Sequence, residues 1–73
     1  MKYKFITIDV VVDETQYDKP IHAIVNNKIS DVIGYITYYP PWKQFVFNQA
    51  HEGVVFNNEC LKNIVDYMEN HIK

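Results

Sequence analysis

The sequence predicts a small α+β domain, an antiparallel sheet of about four strands packed on one C-terminal helix. Three observations carry this. Apolar residues alternate at period two through residues 3–12 and 29–39, as a pleated strand requires. Asparagine- and proline-rich breaks separate the apolar runs at hairpin spacing. Leu61, Ile64, Val65, Met68 and Ile72 recur at helical period at the end of the chain.

The chain has 73 residues and is read as one domain, 1–73. So short a chain buries a thin core and is marginal without disulfides, metal or association. Its one cysteine, Cys60, excludes a disulfide framework. Cys60, His22, His51 and His71 lack metal-ligand spacing, so no metal and no cofactor are expected. Aromatic residues make up 15% of the chain, which suits dense packing or self-association. A homo-oligomer is the expectation.

Net charge is −2, and all seven basic residues are lysine. Nucleic-acid binders usually carry a positive excess, and arginine supplies the bidentate base contacts, so both features argue against that class. The first fourteen residues are not a signal peptide, since the apolar run is broken by Thr7 and Asp9. No stretch approaches the roughly 20 apolar residues of a membrane helix. A cytoplasmic protein without membrane contact is expected, and a lone thiol fits a reducing compartment.

In order, residues 3–12 form the first strand. Ile6, Ile8, Val10 and Val12 are assigned to the core; Tyr3, Phe5, Thr7, Asp9 and Val11 take the other face, which is apolar enough to meet another subunit. Residues 13–20 read as a polar loop without calcium-site spacing. A short strand, 21–25, follows, then a turn at Asn26-Asn27-Lys28, since asparagine tolerates positive φ. The third strand spans 29–39, with Val32, Gly34, Ile36 and Tyr38 on one face. Gly34 in its interior marks a bulge or a close approach.

Pro40-Pro41 ends that strand, Trp42-Lys43 form a corner, and 44–48 return as the fourth strand. A loop, 49–53, and an apolar step, 54–56, lead to the helix. Asn57 is its N-cap, Glu59 complements the dipole, and Phe56 and Leu61 stand at hydrophobic-staple spacing. The helix is expected to run to about His71, with Cys60 and Tyr67 widening its apolar stripe.

Gly34, Ile36, Tyr38, Pro41, Trp42, Lys43, Phe45 and Phe47, followed by Phe56, Asn57, Cys60 and Leu61, form a pattern covering the C-terminal half. It resembles a family of small phage and prophage proteins of unknown function. Lys43 stands where that family usually has arginine, and the loop 48–53 lacks its usual prolines. The resemblance implies a phage origin and an accessory role, and no reaction.

The candidate site is the corner: Trp42, Lys43, Tyr39 and Phe45, with Asn48 and His51 as hydrogen-bonding groups. Flat rings beside an ammonium suit a nucleotide, the ring stacking on the base and the lysine meeting phosphate. The competing reading is that Trp42 and Phe45 seal the sheet end against the helix. Tyr38 and Tyr39 point to opposite faces and cannot serve one pocket within a subunit. Cys60 with His51 is the only nucleophile–base pair to consider. No third group orients it, and a buried apolar thiol is the simpler reading, so no catalysis is expected.

Three functions follow from these residues. The first is a phage accessory or counter-defence protein that sequesters a small host molecule, a nucleotide-type signal for example, in pockets between subunits. The second is an inhibitor or adaptor that binds a host protein through a sheet edge. The third is a single-stranded nucleic-acid binder, against which the charge balance counts.

Overall fold

A computed structural model describes residues 1–72 of the chain. It holds a four-stranded antiparallel sheet in the order β1-β2-β3-β4 and one helix at its C-terminal side. The strands are β1 (Ile6–Gln16), β2 (Lys19–Asn26), β3 (Asp31–Tyr39) and β4 (Gln44–Gln49), and the helix is α1 (Asn58–Asn70). The architecture is the α+β sheet-and-helix expected from the periodicities.

The first strand starts later than its alternation suggests. Residues 1–5 turn back along β1 instead: the Tyr3 N–H donates to Ile6 O at 2.8 Å and the Ile8 N–H to Met1 O at 2.8 Å. Tyr3 therefore lies on the helix side, where its hydroxyl donates to Asp66 Oδ2 at 2.9 Å. The residues expected to form a polar loop, 13–20, are mostly strand. Tyr17 and Asp18 both take left-handed backbone angles, φ 54° and 61°, and close a two-residue hairpin between β1 and β2. That geometry matches the strand twist, and neither residue is the glycine that would adopt it without cost.

The second turn also works differently from expectation. Asn26 acts through its side chain, accepting from the Lys28 N–H at 2.9 Å, and Ser30, not an asparagine, has positive φ at 56°. Asn27 reaches back to the chain start: its Nδ2 donates to Tyr3 O at 3.0 Å, and its Oδ1 accepts from the Thr7 hydroxyl at 2.6 Å. These bonds end β2 and delay β3 to Asp31, leaving Ile29 exposed.

The core lies between the sheet and α1. Ile6, Ile8, Ile24 and Ile36 are fully buried there, with Ile33, Cys60, Ile64 and Tyr67 around them. Burying each such isoleucine contributes roughly 1.5–3 kcal/mol. Gly34 marks both a close approach and, beside it, a bulge. Ile24 pairs with Gly34 but Val25 pairs with Val32, so Ile33 is an extra residue that turns into the core. This moves Val32 off the face it was expected to share with Gly34 and Ile36.

Two other core assignments fail. Val10 is 46% exposed and Val12 87% exposed. The helix passes over the start of β1, and a second bulge between Val11 and Thr15 carries the rest of the strand out of its reach. On α1, the buried residues are Cys60, Ile64 and Tyr67, with Met68 beside them, whereas Leu61 and Val65 are about half exposed. The helix is thus rotated from the expected stripe, because Tyr67 must enter the core to meet His22. The helix start is as expected: the Asn57 side chain accepts from the Cys60 N–H at 2.8 Å.

One sheet face stays open. Val11, Ile21, Val25, Tyr35, Tyr39 and Val46 occupy it, and none of them joins the core. The face was expected to be apolar, and it is so at these positions; Thr7, Asp9, Thr37, Gln44 and Asn48, with Glu14, Thr15 and Gln16 at the far end of β1, make the rest of it polar. Among the described residues, no helix is long and apolar enough to cross a membrane.

Candidate functional site

The proline corner forms as the sequence suggests, but it divides the residues it was expected to gather. Pro40-Pro41-Trp42 make one 3-10 turn, closed by the Lys43 N–H donating to Pro40 O at 3.0 Å. Lys43 takes a left-handed backbone, φ 53°. Trp42 and Lys43 consequently line different clefts.

Trp42 belongs to the open side. Its ring meets Tyr39 edge to face, 5.1 Å between centroids, and the two share a shallow depression with Val46 and Asn48. Trp42 is 65% exposed, so it does not seal the sheet against the helix. The Asn48 Nδ2 donates to the Thr37 hydroxyl at 2.8 Å on the same face. A larger cleft of about 510 Å³ adjoins it, between the far end of β1 (Glu14, Thr15, Gln16) and Ile21, Tyr35, Thr37 and Asn48.

Lys43 and Phe45 belong to the helix side. Phe45 packs on the core, with its ring against Tyr38 at 5.6 Å and against His22 at 5.9 Å. Here the sealing role is real. Beside it lies a cleft of about 460 Å³ lined by Lys19, Tyr38, Lys43, Gln44, Phe45, Met68 and Ile72. The Lys19 ammonium stands 5.4 Å from the Tyr38 ring centroid, a cation–π contact. Sequence reasoning missed Lys19, because the residues around it read as a loop; as strand β2 it faces the corner across the sheet.

His51 is in neither cleft. It is exposed after β4, its Nδ1 within 2.9 Å of the Glu52 carbonyl oxygen and its Nε2 4.0 Å from an Asp31 carboxylate oxygen. It is not joined to Cys60, which is buried in the core at 8% exposure. The one nucleophile–base pair the sequence offered is therefore not assembled. Among the described residues, no three His, Cys, Asp or Glu side chains gather as a metal site would need.

The other chemically notable pair is in the core. His22 Nδ1 and the Tyr67 hydroxyl share a hydrogen bond of 2.8 Å, and their rings meet edge to face at 5.4 Å. Burial pushes the His22 pKa down, so the neutral ring is the folded form. Burial, with a smaller contribution from the Asp9 charge, pushes the Tyr67 hydroxyl up. The alternation in β2 could have marked His22 as inward, since it lies two residues from Ile24. Tyr3 is pushed up to about 12, by burial first and then by its bond to Asp66.

The geometry defines a fold class: an α+β domain of one four-stranded antiparallel sheet and one helix, with open clefts on both sides of the β3–β4 hairpin. Against known proteins, no family model, curated protein or solved structure matches the chain. The phage-family resemblance finds no support among them.

Proposed function

We propose that this chain is a phage accessory protein that counters a host defence by binding and sequestering a small phosphate-bearing molecule of the nucleotide class. It acts as a homo-oligomer in the host cytoplasm and catalyses no reaction. The observation that carries the reading is the helix-side cleft: two lysines, Lys19 and Lys43, flank a space walled by Tyr38 and Phe45. Two ammonium groups suit phosphate oxygens, and aromatic walls beside them suit a base. The C-terminal end of α1 contributes about half a negative charge nearby, less than the two positive charges it opposes. Lys43 and Phe45 carry the contacts, with Lys19 and Tyr38 added; Trp42, Tyr39 and Asn48 form a separate platform on the open side.

Isothermal titration against nucleoside mono-, di- and triphosphates and cyclic dinucleotides tests this. Binding that weakens with salt is expected, and Lys19→Gln with Lys43→Asn should abolish it while the melting temperature is kept. Asparagine suits position 43 because it tolerates the left-handed backbone. No heat with any of these ligands, or binding untouched by the double variant, refutes the site. Loss only on replacing Lys4 and Lys28, which flank a cleft at the start of α1, refutes it as well and moves binding to that end of the helix.

A further inference from the structure

The two edges of the sheet are treated differently. On β1 the first half is covered by residues 1–3, through the Lys2–Thr7 bridge and the Ile8 to Met1 bond. Its second half carries Asp13 and Glu14, charges that discourage strand pairing. On β4 there is neither cover nor charge. Gln-Phe-Val-Phe-Asn-Gln has no proline, glycine or ionisable residue, and among the described residues no backbone group pairs with its outer edge. Such an edge is a ready template for another strand.

Which backbone groups that edge presents follows from one bond. The Ala50 N–H donates to Ile33 O at 3.0 Å, so Ala50 turns its backbone groups inward, toward β3. Inward and outward residues alternate along an antiparallel strand, so Asn48, Val46 and Gln44 also turn inward. Phe45, Phe47 and Gln49 then direct their N–H and C=O groups out from the sheet. Pairing must use these residues.

We propose that β4 pairs antiparallel with β4 of a second copy about a two-fold axis at Val46, joining two sheets into one. Phe45 then faces the partner's Phe47 in a hydrogen-bonded pair, and Phe47 faces the partner's Phe45 in another, each exchanging two backbone bonds. Both phenylalanines are helix-side residues, so the faces match and the cross-strand pairs are aromatic on aromatic. On the open side Val46 meets its own copy, and Gln44 meets the partner's Asn48, amide against amide. Moving the axis to Phe47 sets Phe45 against glutamine and Val46 against asparagine, which loses that complementarity. The strand is complementary to itself, which is why the occupant is a second copy. The pairing is isologous and closes as a dimer without leaving β4 open. It rests on the homo-oligomer part of the functional reading and is independent of the ligand.

Sedimentation velocity and mild oxidation test it. Wild-type protein should sediment as a dimer. Val46→Lys sets two like charges against each other at the axis and should yield a monomer with an unchanged far-ultraviolet spectrum. Val46→Cys sits in a non-hydrogen-bonded pair, where side chains are closest, and should give a dimer on a non-reducing gel; wild type, with only the buried Cys60, should not. A wild-type dimer that survives Val46→Lys and fails to cross-link through Val46→Cys overturns the β4 seam but leaves oligomerisation standing. A wild-type monomer at all concentrations overturns both, and ligand titration of that monomer then decides sequestration separately.

Discussion

Gly34→Ala is the substitution whose outcome the structure determines most directly. An added Cβ would stand 2.7 Å from Phe47 Cε1, 3.2 Å from Phe47 Cζ and 2.9 Å from the Asn48 carbonyl oxygen. The ring alone could swing aside, at the expense of its edge-to-face contact with Phe56, 5.1 Å between centroids. The carbonyl belongs to β4 and yields only if that strand shifts. Overpacking of this kind costs about 1–3 kcal/mol. Replacing a strand glycine returns about 0.5–1 kcal/mol through the unfolded chain. The net is a loss of up to about 2.5 kcal/mol, centred near about 1.25 kcal/mol, which for a domain of this size lowers the midpoint by roughly 5–10 °C at the centre of that range. Total stability for 73 residues is about 4–11 kcal/mol, so the variant should still fold. Thermal melts followed by far-ultraviolet circular dichroism, with urea titration for the slope, measure it. Phe47→Leu in the Gly34→Ala background should cost less than Phe47→Leu alone, since the two side chains compete for one space. A Gly34→Ala protein that melts at or above the wild-type temperature would refute the close approach as the reason for glycine here.

The hairpin at Tyr17-Asp18 gives a prediction of opposite sign. Tyr17→Asn with Asp18→Gly should raise stability by about 1–2 kcal/mol, because both positions have φ near 60° and both new residues accept it; an unchanged urea midpoint would show the turn to be unstrained. The His22–Tyr67 pair predicts the acid response. His22 has a folded pKa below its unfolded value of 6.5, so the unfolded chain takes up the proton first. Stability is therefore complete above about pH 6.5 and falls as the pH is lowered through the window down to the folded pKa. Denaturant midpoints between pH 8 and 5 should show this fall, and His22→Phe should flatten it. Tyr67→Phe should destabilise by about 1–3 kcal/mol at pH 8, because it leaves His22 Nδ1 in the core without its partner.

The features legible in the sequence are those fixed by neighbours in the chain. Asn57 caps the helix through a bond to Cys60, three residues on, and the prolines stop β3 where they stand. Strand order was equally accessible, since each connection is a local hairpin. What escaped reading depends on contacts between distant residues or on backbone angles that residue type does not announce. Val10 alternates like a core residue, and only the helix's actual path over β1 decides otherwise. Leu61 and Val65 fit a helical stripe as well as Cys60 and Tyr67 do; His22, on another strand, selects the latter. Trp42 and Lys43 are adjacent in sequence, yet a left-handed angle at a lysine parts them. The candidate site was thus half legible: Lys43 and Phe45 do share a cleft, Tyr39, Trp42 and Asn48 share another, and His51 joins neither.

The strictly sequential sheet order bears on how the chain folds. Each strand finds its neighbour across a short connection, so the loop-closure entropy of the sheet is low and its hairpins can form in microseconds. The long closures all belong to α1, which brings Tyr67 to His22 across 45 positions and Asp66 to Tyr3 across 63. Until they are made, the isoleucines of the helix side stand in water as openly as the valines and tyrosines of the other face. A sheet without its helix is then apolar on both surfaces, with β4 ready to pair. Docking of α1 is the step that separates folding from aggregation. Variants that slow it, such as those at Ile64 or Tyr67, should lose refolding yield at high protein concentration before they lose equilibrium stability.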